Sequence, residues 1–349
     1  MGIMKGRQIF LDHMGDREAA ALMVDGRLED LLIAGTAPAP GTIYRARADR
    51  PVKGQGGMFL STPDGPAFLR QVKGLAPGDM LLVQVTSYAE EGKAFPVTTR
   101  VIFKSRYAMV TPGAPGLNIS RSIRDEEVRD RLLECAHEAI AEGPGTLPDD
   151  LGLVLRSATA EADETEIAED ILAMLSLAQQ VMSDPGTEPE RLVDGDGPHM
   201  LAWRDWSEPA EIIADDGCFE SHDVADAIDH ARGDRETLEG GAWISVEPTR
   251  ALVAVDVNTG RDTSMAAGIK ANLACARALP RALRVRGLGG QIVVDFAPMP
   301  KKDRIRVESA LRSAFRADPE ETSLVGWTGM GNFELQRKRG RVPLSEVQP

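Results

Sequence analysis

The chain has little cysteine, few histidines and no long apolar run. Its three cysteines, Cys135, Cys218 and Cys275, stand far apart with no CxxC spacing. Neither a disulfide framework nor a cysteine zinc clip is expected, and a reducing cytoplasm fits. Nowhere does an apolar stretch reach the roughly 20 residues that span a bilayer. The segment Met1–Ala20 alternates charged and apolar residues, so no export signal is visible and no membrane partner is expected. The five histidines, His13, His137, His199, His222 and His230, show no metal-ligand spacing, and most read as surface residues. Internal repeats and low-complexity tracts are absent as well.

An excess of basic charge is also lacking. The formal net charge is −14, which argues against a protein that coats nucleic acid, because phosphate contacts draw their affinity from Lys and Arg. Two local clusters run against that trend: Lys301, Lys302, Arg304 and Arg306, and Arg337, Lys338, Arg339 and Arg341. They read either as a basic face on an acidic protein or as a solvated helix face and a terminal tail.

What is present is an ordinary globular composition. With 349 residues, 42% hydrophobic and 27% charged, the chain can bury a sizeable core in two domains or one elaborate one. Strands are predicted at Gln8–Leu11, Ala20–Val24 and Leu28–Ile33, the last two joined by an Asp25-Gly26 hairpin turn. Between Gly41 and about Val101, short β-rich pieces separated by Gly and Pro suggest a small barrel of the OB type. They are Thr42–Ala46, Gly57–Leu60, Ala67–Arg70, Met80–Thr86 and Val97–Phe103. Helices at Arg124–Ala141 and Glu164–Met182 flank a strand at Leu151–Leu155, which indicates an α/β region. Asp184–Pro198, rich in Pro-Gly and Asp-Gly pairs, reads as a surface loop.

The last hundred residues carry the chemistry. Ala251–Val255 and Gly290–Val294 are apolar, β-branched runs, each meeting a lone carboxylate, Asp256 and Asp295. Both strands are expected to be buried. Between them a helix with Ile269, Leu273, Ala276 and Leu283 on one face makes a strand–helix–strand unit, so the two strands should be parallel. Their C-terminal ends then fall at the edge where open α/β sheets place ligands. Two carboxylates there can hold Mg²⁺, which keeps several waters and contacts phosphate oxygens, and Mn²⁺ can substitute. Asn258, two residues on, can orient a carboxylate or bind a phosphate oxygen. The competing readings are a helix cap for each aspartate and a turn for Asn258-Thr259-Gly260. Pro280 should kink or divide the connecting helix. Trp203 and Trp206 read as packing beneath the α/β layer.

Taken in order, VAVDVNTGRDT, KANLACARALPRALRVRGLGGQIVVDF and RVESALRSAF resemble the catalytic domain of the ribonuclease E/G family. In that family a D-I/V-N motif is followed by N-L-E-A-A, R-L-R-x-L-G-G and I-V-I-D-F. Glu18–Ile33 is similar to the family's opening, and GTIYRARADR to TTRVI is similar to its S1-like OB domain. The resemblance implies an α/β fold with an RNase H-like catalytic core and an inserted S1-like OB-fold β-barrel. The implied order is a first part of the core at 1–40, the barrel at 41–103, an α/β 5′-sensor-like region at 104–198, and RNase H-like and DNase I-like catalytic parts at 199–349. It further implies a Mg²⁺-dependent endoribonuclease acting on single-stranded RNA and leaving 5′-phosphate and 3′-hydroxyl ends.

By the same resemblance, Asp256, Asn258 and Asp295 fall on catalytic positions, and Asp256 and Asp295 on the metal. Phe59 and Phe68 match base-stacking aromatics, the alternative being barrel core, and Lys93 matches a backbone-binding cation. Arg156 and Ser157 correspond to a pair that grips a 5′-monophosphate. Several positions depart from the pattern. Gly329 replaces an arginine partner of that pair, Ala274 replaces the Glu of N-L-E-A-A, and Ala297-Pro298 stands where a second acid often follows. The family's CPxxC-type zinc link would follow Arg341 but has no counterpart before Pro349. Zinc and a zinc-linked dimer are therefore not expected, and the oligomeric state is left open. A non-catalytic RNA-binding or regulatory protein on the same scaffold is the second reading.

Overall fold

The computed structural model describes residues 6–52, 56–71, 74–90 and 92–347. The chain forms two compact units, Met1–Gly35 together with Ala210–Pro349, and Thr36–Pro209.

The first unit opens with three antiparallel strands, β1 (Arg7–Met14), β2 (Arg17–Val24) and β3 (Arg27–Ile33). The β2–β3 turn is the predicted Asp25-Gly26, and both residues take positive φ, 49° and 77°. Two left-handed residues match the twist of a two-residue hairpin. Ala19 to Met23 and Leu28 to Ile33 supply buried apolar side chains on these strands.

The second unit begins with β4 (Ile43–Val52), β5 (Gly57–Thr62), β6 (Gly65–Leu69), β7 (Met80–Val85) and β8 (Phe95–Thr98). Strand order β4-β5-β6-β8-β7, with β7 pairing back onto β4, closes a five-stranded barrel. All pairings are antiparallel except β6 with β8, an arrangement consistent with an OB-like fold and a fit to the S1-like domain. Tyr44, Ala46, Met58, Leu60, Ala67 and Val83 are among the residues that fill its interior.

The same unit continues with β9 (Phe103–Lys104), β10 (Ala108–Pro112), β11 (Gly116–Ile119), α1 (Glu126–Glu142), β12 (Leu151–Leu155) and α2 (Glu164–Met182). Asp125 and Asp163 cap the two helices by accepting hydrogen bonds from first-turn amides, as short acidic side chains do at N-caps. Ile167, Ile171, Leu175 and Ala178 on α2, at helical spacing, pack with Leu132 and Ala136 of α1 and Leu153 and Leu155 of β12.

Three expectations need correcting in this unit. The predicted strand Val97–Phe103 is two strands, because β8 ends at Thr98 and pairing resumes at Phe103 in the β11-β12-β10-β9 sheet. The predicted loop Asp184–Pro198 contains β13 (Glu190–Val193), antiparallel to β4. Polar side chains hold it there: buried Arg45 of β4 pairs with Asp184 and Glu190 and donates to the Glu188 carbonyl at 2.7 Å. After α3 (Pro198–Asp205), Trp206 is buried as expected, whereas Trp203 is 43% exposed.

The chain then returns to the first unit with β14 (Glu211–Ile213), parallel to β1, followed by α4 (Cys218–Ser221) and α5 (Val224–Arg232). A second sheet follows: β15 (Arg235–Thr237), β16 (Trp243–Pro248), β17 (Val253–Asn258), β18 (Gly290–Asp295), β19 (Thr322–Trp327) and β20 (Phe333–Arg337), in the order β15-β16-β17-β18-β20-β19. Helix α6 (Ala267–Val285) connects β17 to β18, and α7 (Arg304–Ala317) follows β18.

These strands are one-sided, not buried on both faces as expected. Burial alternates along β17, β18 and β20, the period-two signature of a half-covered sheet. Val253, Val255, Ile292, Val294, Phe333 and Leu335 pack in one core with Leu279 and Leu283 of α6 and Leu311 of α7. Asp256, Gln291, Asp295, Glu334 and Gln336 lie exposed on the opposite face. On α6, Ala276 and Leu283 are fully buried while Ile269 and Leu273 are partly buried against the same core. The helix also runs through Pro280 as one segment. A mid-helix proline costs about 3 kcal/mol, and complete burial of Ala276, Leu279, Ala282 and Leu283 around it offsets that cost. Among the described residues no helix is long and apolar enough to cross a membrane.

Candidate active site

β17 and β18 are parallel, and their register pairs Asp256 with Asp295. Side chains on paired positions share a sheet face, and neighbouring strands lie about 4.8 Å apart. The two carboxylates thus stand side by side, both exposed, at the C-terminal ends of their strands. Asn258, the next residue on that face, donates from Nδ2 to Asp256 Oδ2 at 2.7 Å. This holds the Asp256 carboxylate and leaves the amide oxygen of Asn258 as an acceptor.

Asp295 is fixed from behind. Phe296 is buried against Trp327 and Phe333, with ring centroids 5.6 and 6.5 Å away. Asn272 of α6, fully buried, receives the Ala297 amide at 3.0 Å and donates to the Ala297 carbonyl at 2.9 Å. Gly268 brings the first turn of α6 so close to this segment that a Cβ would sit 2.2 Å from the Pro298 carbonyl oxygen. Asn272 was not anticipated as a site residue. The signal was a polar side chain among Ala271, Cys275 and Ala276 on the helix's apolar face.

Among the described residues, no three His, Cys, Asp or Glu side chains group to hold an ion. The donor set is therefore two carboxylates and an amide oxygen. That set fits Mg²⁺, which binds through one or two carboxylates and keeps several waters, and does not resemble a closed zinc site.

The two basic clusters differ. Lys301, Lys302 and Arg306 are exposed just beyond β18, although Arg306 pairs with Asp303 at 3.3 Å, and Arg304 lies over the Trp327 ring at 4.5 Å. In the second cluster Arg337 is buried and pairs with Asp318 at 2.8 Å, and Arg341 pairs with Asp30 at 3.0 Å. These two arginines tie the first unit together, while Lys338 between them is exposed.

On the barrel, Phe59 and Phe68 are cross-strand partners with centroids 5.3 Å apart. They alternate with the interior residues Met58, Leu60, Ala67 and Leu69, so both rings lie on the outer face, half-buried. The Arg50 guanidinium is 5.2 Å from the Phe59 ring. Lys93 is exposed and paired with Glu90.

Arg156 follows β12 and is engaged. Its Nη1 donates to the carbonyls of Ser105, Arg106 and Arg204, and its Nη2 to Asp205 at 2.8 Å. Ser157 beside it is exposed, and Gly329 lies exposed in the β19–β20 turn. Asp205 also receives Lys104 at 2.7 Å and Arg204 at 2.8 Å. Burial alone would raise the Asp205 pKa, but hydrogen bonds and charge from Arg204 and Lys104 outweigh it and hold the carboxyl well below its usual range. Burial lowers the pKa of Lys104 and of Arg156 despite the attraction of Asp205.

The sequence profile described as the Ribonuclease E/G family matches residues 103–218 and 204–340. Ribonuclease G of Escherichia coli strain K12 is 27% identical over 373 residues, covering 88% of this chain and 74% of that protein. Ribonuclease E of Nostoc sp. PCC 7120 is 26% identical, covering 92% of this chain and 54% of its own length. Ribonuclease E of Synechocystis sp. PCC 6803 is 25% identical, with 95% and 56% covered.

Proposed function

Because the chain belongs to the ribonuclease E/G family, we propose that it is an endoribonuclease that hydrolyses phosphodiester bonds in single-stranded RNA during RNA processing or decay. The observation that carries this reading is the register pairing of Asp256 with Asp295 at one sheet edge. In this account the first unit is the RNase H-like and DNase I-like catalytic part, and the barrel is the S1-like RNA-binding domain.

Asp256 and Asp295 would hold Mg²⁺, with Mn²⁺ as a substitute. When bound, the ion supplies Lewis-acid polarisation of the phosphate, a more acidic attacking water and charge neutralisation. Asn258 keeps the Asp256 carboxylate oriented through the 2.7 Å hydrogen bond. Asn272 and Phe296 position Asp295 through the segment that follows it. Lys301 and Lys302, exposed in the segment that follows β18, offer phosphate contacts. Phe59 and Phe68 present two π-faces, which suit unpaired bases of any sequence, and the exposed Lys93 would supply a cation to the backbone. The attacking water's oxygen ends on the 5′-phosphate, and the 3′-oxygen leaves and takes up a proton.

Three buried free thiols, Cys135, Cys218 and Cys275, agree with a cytoplasmic setting. The second reading, a non-catalytic RNA-binding or regulatory protein on the same scaffold, draws on the departures from the family pattern, Gly329 in place of an arginine among them. End-group analysis after incubation with single-stranded RNA and Mg²⁺ separates the two. Products with 5′-phosphate and 3′-hydroxyl support hydrolysis. Cyclic 2′,3′-phosphate ends, or RNA that is bound and never cut, contradict it.

A further inference from the structure

Arg235, Ser245, Asp256 and Asp295 form one row across β15, β16, β17 and β18, each in register with the next. Paired positions share a sheet face. Arg235 therefore stands on the open face that carries the two carboxylates, with only the small side chain of Ser245 between it and Asp256. Strands lie about 4.8 Å apart, which puts the backbone of Arg235 about 10 Å from that of Asp256. Arg235 is exposed, and its guanidinium lies over the Trp243 ring, 4.3 Å from the centroid. Among the described residues no carboxylate pairs with it. The adjacent Glu236 is buried on the other face, where it pairs with Arg281 and Arg286.

Trp243 has a different setting from Trp327. Trp327 packs with Phe296 and Phe333 against the core, whereas Trp243 is half-buried on the open face, in register with Asn258 and outside that core. Its indole supports the Arg235 guanidinium instead. Stacking uses the flat face of the guanidinium and leaves the N–H groups at its edge for an anion. Holding the group in one place beforehand also lowers the entropy lost when it binds phosphate. We infer that Arg235 is a subsite of the catalytic face that binds the phosphate of a nucleotide flanking the scissile one, with Trp243 as its positioning residue. The inference rests on the single-stranded RNA reading above for its ligand. The charges are complementary: a cation without a carboxylate partner stands beside the carboxylate pair on a chain of net charge −14, where other phosphate contacts are scarce.

Fluorescence anisotropy with a short single-stranded RNA tests this over a range of salt, with a chelator present so that hydrolysis does not interfere. Each phosphate contact on a single strand contributes about 0.7 to the slope of log K against log salt. Arg235→Ala should weaken binding about tenfold, the loss of one charge-assisted contact, and flatten the slope by about 0.7. Arg235→Lys keeps the charge and should keep the slope. Trp243→Ala should also weaken binding, and the double variant should bind no more weakly than Arg235→Ala, because the indole acts through the guanidinium. A folded Arg235→Ala with wild-type affinity overturns the inference and leaves the RNA reading standing. So does lower affinity with an unchanged slope, which would mark a structural effect. Additive losses in the double variant overturn the positioning role of Trp243. If Arg235→Ala does not fold, Arg235→Gln replaces it under the same criteria. If the wild type binds no RNA, the RNA reading itself has failed and the inference falls with it.

Discussion

Asp256 and Asp295 are 39 positions apart in sequence and are direct neighbours across a parallel strand pair. Three side chains hold that relationship. Asn258 fixes one carboxylate, and Asn272 with Phe296 fixes the segment leaving the other.

Asn272→Leu should destabilise the first unit. The substitution removes both hydrogen bonds to Ala297 and leaves a buried amide and carbonyl unpaired, a loss of about 1–3 kcal/mol. Urea denaturation should show a lower midpoint with an unchanged slope, and RNA cleavage should fall further than the loss of folded protein accounts for. Unaltered stability would mean that Ala297 finds other partners.

Phe59→Ala and Phe68→Ala should weaken RNA binding without unfolding the barrel, because neither ring belongs to its interior cluster. Base–aromatic stacking contributes about 1–3 kcal/mol per base, so a loss of roughly 5- to 150-fold in affinity is expected. Binding titrations, with Tm as the control for folding, check this. A large drop in Tm with unchanged affinity would assign the rings to packing.

Asp205 gives a pH signature. Its folded pKa is depressed below the unfolded value of about 3.9, so its contribution to stability is fully present above that value and is lost as pH falls through the folded pKa. The difference in Tm between wild type and Asp205→Asn should be constant from pH 7 to 5 and shrink below about pH 4. A difference that grows on acidification would reverse the sign and remove Asp205 from the cation cluster.

Much of this arrangement is legible in the sequence wherever period and turn chemistry act locally. Leu151–Leu155 and Glu164–Met182 coincide with β12 and α2, and Asp25-Gly26 makes its hairpin. The parallel pair carrying the two aspartates follows from two apolar runs and the helix between them. What escapes is set by polar contacts between distant residues. Strand β13 has no apolar alternation and depends on Arg45, some 140 positions away. The Asp205 cluster joins Lys104, Arg156 and Arg204, and no local pattern marks them as partners. Arg337 and Arg341 look like a basic tail until Asp318 and Asp30 are found opposite them. The one-sidedness of β17 was hidden by Ala254, an exposed residue that reads as apolar in the run.

The central claim is best tested by measuring cleavage of a fluorescent single-stranded RNA in Mg²⁺ by the wild type, Asp256→Asn and Asp295→Asn, with Tm recorded for each. Both aspartates are exposed, so the variants should melt near the wild type. The account predicts that each cuts at least about a hundredfold more slowly, the loss of several kcal/mol of transition-state charge stabilisation. Wild-type rates in both folded variants would contradict it.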